Sequence, residues 1–173
     1  MFVAHCQVIR GWVMAQRGQA DEGMANIREG LVGCKQTGAR MGEPYYTALL
    51  AERHFAAGQL DEASAAIAQA REIVAATGEH WIEADILRLD GEISCRLAPA
   101  KAESLFKDAI HSAQEHQSRS LELRAATSLA RFWQSQGRLS EAADIFAPVY
   151  DWFIEGFDTA DLKAAKALLE NLA

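Results

Sequence analysis

A short phrase returns three times along the chain, as Gly18-Gln19-Ala20-Asp21-Glu22-Gly23, Gly58-Gln59-Leu60-Asp61-Glu62-Ala63 and Gly137-Arg138-Leu139-Ser140-Glu141-Ala142. Each is followed, four residues after its last member, by a bulky apolar side chain: Ile27, Ile67 or Phe146. A degenerate copy runs Ala102-Glu103-Ser104-Leu105-Phe106. The small residues that anchor the four copies, Gly23, Ala63, Ala102 and Ala142, stand 40, 39 and 40 residues apart. A fixed period of about 20 to 50 residues is the mark of stacked supersecondary units, each too small to bury its apolar face alone.

Within a unit the pattern predicts two helices and a tight turn. The first unit has a helix through about Arg17, a turn at Gly18-Gln19, and a second helix from about Ala20 to Lys35, and later units repeat the plan. Repeats fall at about 1–38, 43–77, 79–117 and 119–154, and a capping helix at 159–172 starts where Asp158-Thr159 can cap free amides. The anchor residues let paired helices approach closely. Gly11, Ala51, Gly91 and Ala130 occupy the matching site on the first helices, and Gly30, Ala70 and Ala109 keep a third contact small. Ala63 and Ala142 are therefore expected to be buried, and Trp81, Trp133 and Trp152, at helical core positions, likewise. The whole chain, 1–173, reads as one repeat domain.

Charge and cysteine usage bound the function. Seventeen Lys and Arg against 24 Asp and Glu give a formal charge of −7, which repels a phosphate backbone, so no nucleic-acid partner is expected. Arg10, Gln16, Arg17 and Gln19 break the apolar start before any membrane-spanning run, so a chain without a membrane partner, located in the cytoplasm, is expected. Cys6, Cys34 and Cys95 are widely spaced and odd in number, which reads as reduced thiols acting as small core hydrophobes.

The repeat resembles the tetratricopeptide repeat (TPR), whose usual period of about 34 residues is here lengthened to about 40. The resemblance implies an all-α fold, a right-handed α-α superhelix of about four helical hairpins plus the C-terminal capping helix. The chain departs from that pattern in lacking the closing proline after the first repeats. Met14, His54, Ser94 and Trp133 also stand where an aromatic often fills the first helix. Three segments, running from Glu79-His80-Trp81-Ile82 to Glu92, from Ser118-Arg119-Ser120-Leu121 to Arg131, and from Pro148-Val149-Tyr150-Asp151 to Lys163, look like the C-terminal repeat region of bacterial multidomain signalling ATPases. In those proteins a cyclase domain or a LuxR-type or winged-helix DNA-binding domain precedes the nucleotide-binding module and the array. That resemblance implies a regulatory or scaffolding array and a chain that is part of something longer.

No motif for the larger family's chemistry is present. The sequence has no Gly-x-x-x-x-Gly-Lys loop, no Gly-x-Ser-x-Gly and no His-Glu-x-x-His. His111 and Glu115 share a helix face, but His116 is rotated away, so no zinc site is expected. No enzyme activity, cofactor or metal is therefore predicted. The same register places Trp12, with His5, Val8 and Gln16, on the inner face of the first unit. Tyr45, Ala48, Glu52 and Phe55 come next in the second, Asp85, Arg88, Glu92 and Cys95 in the third, and Arg124, Thr127, Arg131 and Gln134 in the fourth. Trp12, Tyr45, Glu52, Phe55, Asp85, Arg88, Glu92, Arg124 and Arg131 are the candidate binding residues of a groove grading from apolar to charged. The Lys and Asn of the two-carboxylate clamp in chaperone-binding relatives are replaced by Val8 and Trp12, so that ligand is not expected.

Two functions fit: a module binding a protein or peptide partner, and a repeat domain sensing a small-molecule effector for an attached regulator. An open polar groove favours the first and a closed apolar cavity the second. Met1, Phe2, Val3, Val8, Ile9, Trp12, Val13 and Met14 crowd the opening helix, which predicts a homodimer through the first hairpin, with Phe2, Val13 or Trp12 near its centre.

Overall fold

The computed structural model describes residues 2–38 and 40–172, so Met1, expected to belong to the self-association face, lies outside the described residues. Every regular element among them is helical. The order is α1 (Phe2–Gln16), α2 (Ala20–Gln36), α3 (Glu43–Ala56), α4 (Leu60–Thr77), a 3-10 turn (His80–Ile82), α5 (Glu83–Leu97), α6 (Pro99–Glu115), α7 (Arg119–Ser135), α8 (Leu139–Asp151) and α9 (Ala160–Leu172). These are the four helix pairs and closing helix that the period predicts. Two compact units are distinguished, one up to residue 82 with α1 to α4, the other from 83 with α5 to α9.

Small residues set the spacing of each pair. A Cβ added to Gly11 would stand 2.5 Å from the carbonyl oxygen of Gly23, and one added to Gly23 would stand 2.5 Å from that of Gly11, so α1 and α2 cross backbone against backbone. In the second pair Ala51 and Ala63 are fully buried, as are Ala102, Ala109, Ala130 and Ala142 in the third and fourth. At Gly91 the limiting neighbour is a ring, with Phe106 Cε1 2.5 Å from the site of an added Cβ. The apolar residues one turn after each anchor, Ile27, Ile67, Phe106 and Phe146, are buried beside these crossings. Left-handed backbone at Gly58 (φ 75°) and Gly137 (φ 77°) makes the tight reversals, which is why the repeated phrase opens on glycine. The last helix starts as expected, Thr159 Oγ1 accepting from the Leu162 N–H at 3.5 Å.

Within the second unit an ion-pair cluster joins α6, α7 and α8. Arg138, at the turn before α8, lies 4.5 Å from the ring centre of buried Trp133, and Lys107 approaches the same ring at 5.5 Å. Glu103 accepts from Arg138 Nη1 and from Lys107 Nζ, both at 2.7 Å, and Glu141 holds the other edge of Arg138. The bonds from Arg138 first, then from Lys107, draw the Glu103 carboxyl down from 4.5 to about 2.

Two tryptophans depart from expectation. Trp133 is buried, but Trp81 and Trp152 are 51% and 55% exposed. Trp81 falls in the 3-10 turn, outside any apolar helix stripe, where its ring stands 5.6 Å from that of Tyr45. Trp152 comes directly after the last residue of α8 and carries Arg119 over its ring at 5.3 Å. All three cysteines are free thiols, and Cys34 alone of them is buried, its pKa raised first by that burial. Cys95 is half-buried, and Cys6 is exposed on α1 rather than in the core.

Gly23→Ala gains about 1 kcal/mol in helix propensity but inserts a methyl into a backbone crossing, so a net loss of about 1–3 kcal/mol is expected from urea denaturation. Gly33→Ala, whose new Cβ would meet the Ala4 side chain at 3.1 Å, should cost less. Because the folded pKa of Glu103 is depressed, its contribution is complete above pH 4.5 and is lost as pH falls toward about 2. The stability difference between the wild type and Arg138→Gln should therefore be largest above pH 4.5 and close progressively through that window.

Candidate functional site

The inner residues of the first helices sit one repeat period apart, and the structure turns that spacing into bonds. In the first unit Trp12 Nε1 donates to Glu52 Oε2 at 2.9 Å across 40 residues of sequence. Glu52 also accepts from Arg53 Nη2 at 2.7 Å, and the Arg53 guanidinium lies over the Trp12 ring at 6.0 Å. Trp12 is half-buried against the Val8, Ile27 and Leu49 cluster. Tyr45 packs its ring 5.6 Å from both Tyr46 and Trp81, while Phe55 is half-buried at the end of α3.

In the second unit the expected residues Asp85, Arg88, Glu92, Arg124 and Arg131 come together. Spacings of three, four and seven place Asp85, Arg88 and Glu92 on one face of α5, and Arg124, Thr127, Ser128 and Arg131 on one face of α7. Arg88, only 6% exposed, donates from Nε to Asp85 Oδ1 and from Nη1 to Glu92 Oε1, each at 2.7 Å. Burial works against its charge, yet Asp85 and Glu92 more than offset that and hold its pKa above the ordinary value. Arg124 Nη1 reaches the other oxygen of Asp85 at 3.1 Å, and its Nε lies 4.0 Å from Asp161 on α9. Ser128 Oγ donates to Glu92 Oε1 at 2.8 Å.

All of these side chains but Asp85, with Thr127 and Ala164, line a cavity of about 150 Å³ bounded by α5, α7 and α9. Asp85 and Arg124, 39 residues apart, occupy equivalent repeat positions and pair. Glu92 and Arg131 are equivalent in the same way, but Glu92 is engaged by Arg88 and Ser128 instead. Arg131 is the one arginine lining this cavity with no hydrogen bond or ion pair to another described residue. Sequence reasoning missed Ser128 and Asp161; Ser128 lies four residues after Arg124 on the same face and was legible by register, whereas Asp161 enters from a helix outside the repeat.

Among the described residues no group of three or more His, Cys, Asp or Glu side chains could hold a metal ion, and no helix is long and apolar enough to cross a membrane. His111 Nε2 stands 3.4 Å from Glu115 on an exposed face of α6.

No protein-family model matches the chain, and no curated protein matches it. Solved structures do. The putative kinesin light chain of Podosopora anserina, with nearly identical TPR-like repeats, has a TM-score of 0.71 at 19% identity, covering 97% of this chain and 84% of that one. A variant of the same protein matches at 0.71 and 18%. BtubC (BKLC) from P. vanneervenii gives 0.72 at 16% identity, with 94% and 75% covered. These likenesses show an all-helical, TPR-like repeat fold.

Replacing Arg88 by Met leaves Asp85 and Glu92 without their buried cation and is expected to cost about 3–5 kcal/mol, whereas Arg131→Gln, at an exposed side chain, should stay within about 0.5 kcal/mol of wild type. Urea denaturation of the two variants checks the contrast.

Proposed function

We propose that this chain is a non-catalytic helical-repeat module that binds a protein or peptide partner along the inner faces of its first helices, with Trp12, Tyr45, Glu52, Phe55, Asp85, Arg88, Glu92, Arg124 and Arg131 as the contact set. The observation that carries this reading is the fixed polar face on α5 and α7, held by Arg88 between two carboxylates, in a fold that matches TPR-like repeats over nearly its whole length. Side chains locked by such bonds lose little freedom on binding, which favours recognition by a preformed surface.

The effector-sensing alternative is less well supported at this face. Pockets for small organic ligands usually enclose about 300–1,000 Å³ and are mostly apolar, whereas this cavity holds about 150 Å³ and is lined by charge. The resemblance of the third and fourth repeats to signalling ATPases supports a regulatory setting, and it rests on the sequence segments alone.

A second reading, self-association through the first hairpin, is favoured by the state of α1. Phe2 and Val3 are 77% and 81% exposed, and a hollow of about 510 Å³ lies beside them, also lined by Cys6, Gln7, Arg10 and Asn26. Trp12 and Val13 are half-buried, so Phe2 and Val3 offer the larger exposed area for the interface. Sedimentation showing a monomer at high micromolar concentration overturns this reading.

Peptides selected from a random display library should, when bound, slow amide hydrogen exchange in α1, α3, α5 and α7. Protection confined to α2, α4, α6 and α8 would place the contact on the other helices and defeat the proposal.

A further inference from the structure

We infer that the segment between α8 and α9 is a second contact surface, docking a cationic, apolar segment of a partner protein on Trp152, Ile154 and Phe157. It stands apart from the inner faces of the first helices and does not rest on that reading.

Three exposed apolar side chains fall close together here. Trp152 is 55% exposed, Ile154 90% and Phe157 48%. Single apolar residues scattered over a surface are ordinary, whereas a cluster of them marks a contact. The backbone that carries them is held in place. Phe153, between Trp152 and Ile154, packs against the core, its N–H donates to the Tyr150 carbonyl at 3.1 Å, and the Thr159 N–H donates to that of Gly156 at 2.9 Å. Gly156 makes a left-handed turn at φ 76°, and the Phe157 ring stands 6.2 Å from that of Tyr150. A segment held in this way pays little ordering cost when a partner seats on it.

Charge identifies the occupant. Asp151, Glu155 and Asp158 interleave with the apolar residues, all three are exposed, and none has a hydrogen bond or ion pair to another described residue. No Lys or Arg occurs between Arg138 and Lys163 to neutralise them. Asp158 has a use within the fold, just before the positive end of α9. Asp151 has none, because it closes α8, where the helix dipole disfavours a carboxylate and the last turn carries no base. Arg119, the cation over the Trp152 ring at 5.3 Å, is already held by Glu122, Nη1 to Oε2 at 2.6 Å. An anionic lipid surface would be repelled, and a second copy of the same segment would set carboxylate against carboxylate. A partner with Lys or Arg beside its apolar side chains satisfies both features.

The test titrates the intact protein with an amphipathic leucine–lysine peptide, read on the indole N–H resonances of Trp12 and Trp152. Two control peptides replace lysine by glutamate and leucine by serine. The leucine–lysine peptide should shift Trp152 saturably, less tightly as salt is raised, and each control should bind about tenfold more weakly or not at all. Ile154→Ser, at a side chain already in water, should weaken the complex about tenfold while the melting temperature stays as it is. Asp151→Asn, Glu155→Gln and Asp158→Asn together should weaken it about fivefold or more, whereas Glu62→Gln, Glu72→Gln and Asp108→Asn, at exposed acids elsewhere, should leave it nearly unchanged. Equal losses in the two neutralised variants would mean attraction to net charge alone and overturn the proposal, as would a complex that survives Ile154→Ser. Tight binding of the leucine–glutamate peptide or of phosphatidylglycerol vesicles overturns the choice of a cationic peptide, and a Trp152 shift that grows with protein concentration alone makes the occupant a second copy. A shift at Trp12 in place of Trp152 defeats this surface and supports the inner face instead, so the two readings fail separately.

Discussion

Where α1 crosses α2, the carbonyl of Gly23 stands where a Cβ on Gly11 would have to go, and the carbonyl of Gly11 stands where a Cβ on Gly23 would go. That mutual exclusion sets how near the two helices come, and nearness governs the packing around them. The later pairs carry alanine at the same positions, except Gly91 on α5, with Ala51, Ala63, Ala102, Ala130 and Ala142 fully buried. Close pairing leaves room for one plug per crossing, and Ile27, Ile67, Phe106 and Phe146 fill it. Once the pair is fixed about that crossing, the rotation of each first helix is fixed too, and with it the residues that its inner face presents.

From that rotation comes a ladder of equivalent positions. Trp12 bonds Glu52 across 40 residues, and Arg124 bonds Asp85 across 39. A bond between residues about one period apart joins consecutive helix pairs within a unit and resists their sliding past one another, because a shift by one helical turn of about 5.4 Å would break it. Buried charge is a costly way to hold register, since the ions must be desolvated. Arg88 shows how the cost is met: two carboxylates 2.7 Å from its nitrogens replace the water it has lost.

Much of this was legible in the sequence, and the parts that were not share a cause. The period, the turns and the small anchors depend on local spacing, and spacing survives in a sequence. The inner-face residues Asp85, Arg88, Glu92, Arg124 and Arg131 were legible for the same reason. Burial of Trp81 and Trp152 was misjudged because helical phase was extended past the helices' real ends, to a 3-10 turn before α5 and to the residue after α8. The cluster around Trp133 left one signal in the repeated phrase: Arg138 stands where the first two copies carry Gln19 and Gln59, a cation in place of an amide beside an aromatic. Which acid Arg138 would take could not be read, because Glu103 belongs to the preceding pair and is brought near by packing.

The same ladder separates charges that hold the fold from one that is left unbonded. If sequence equivalence alone governed pairing, Glu92 would take Arg131 as Asp85 takes Arg124. It does not, because Arg88 stands one helical turn away on α5 and Ser128 faces Glu92 from α7, and these nearer donors occupy its Oε1. Both donors share Oε1, and reaching the other oxygen would cost the exposed arginine rotamer freedom worth about 1.5–2 kcal/mol. Arg131 is thus left out by competition on its own inner face. Arg131, bonded to no described residue, is therefore the member of the inner face whose substitution leaves the helices beneath it as they are.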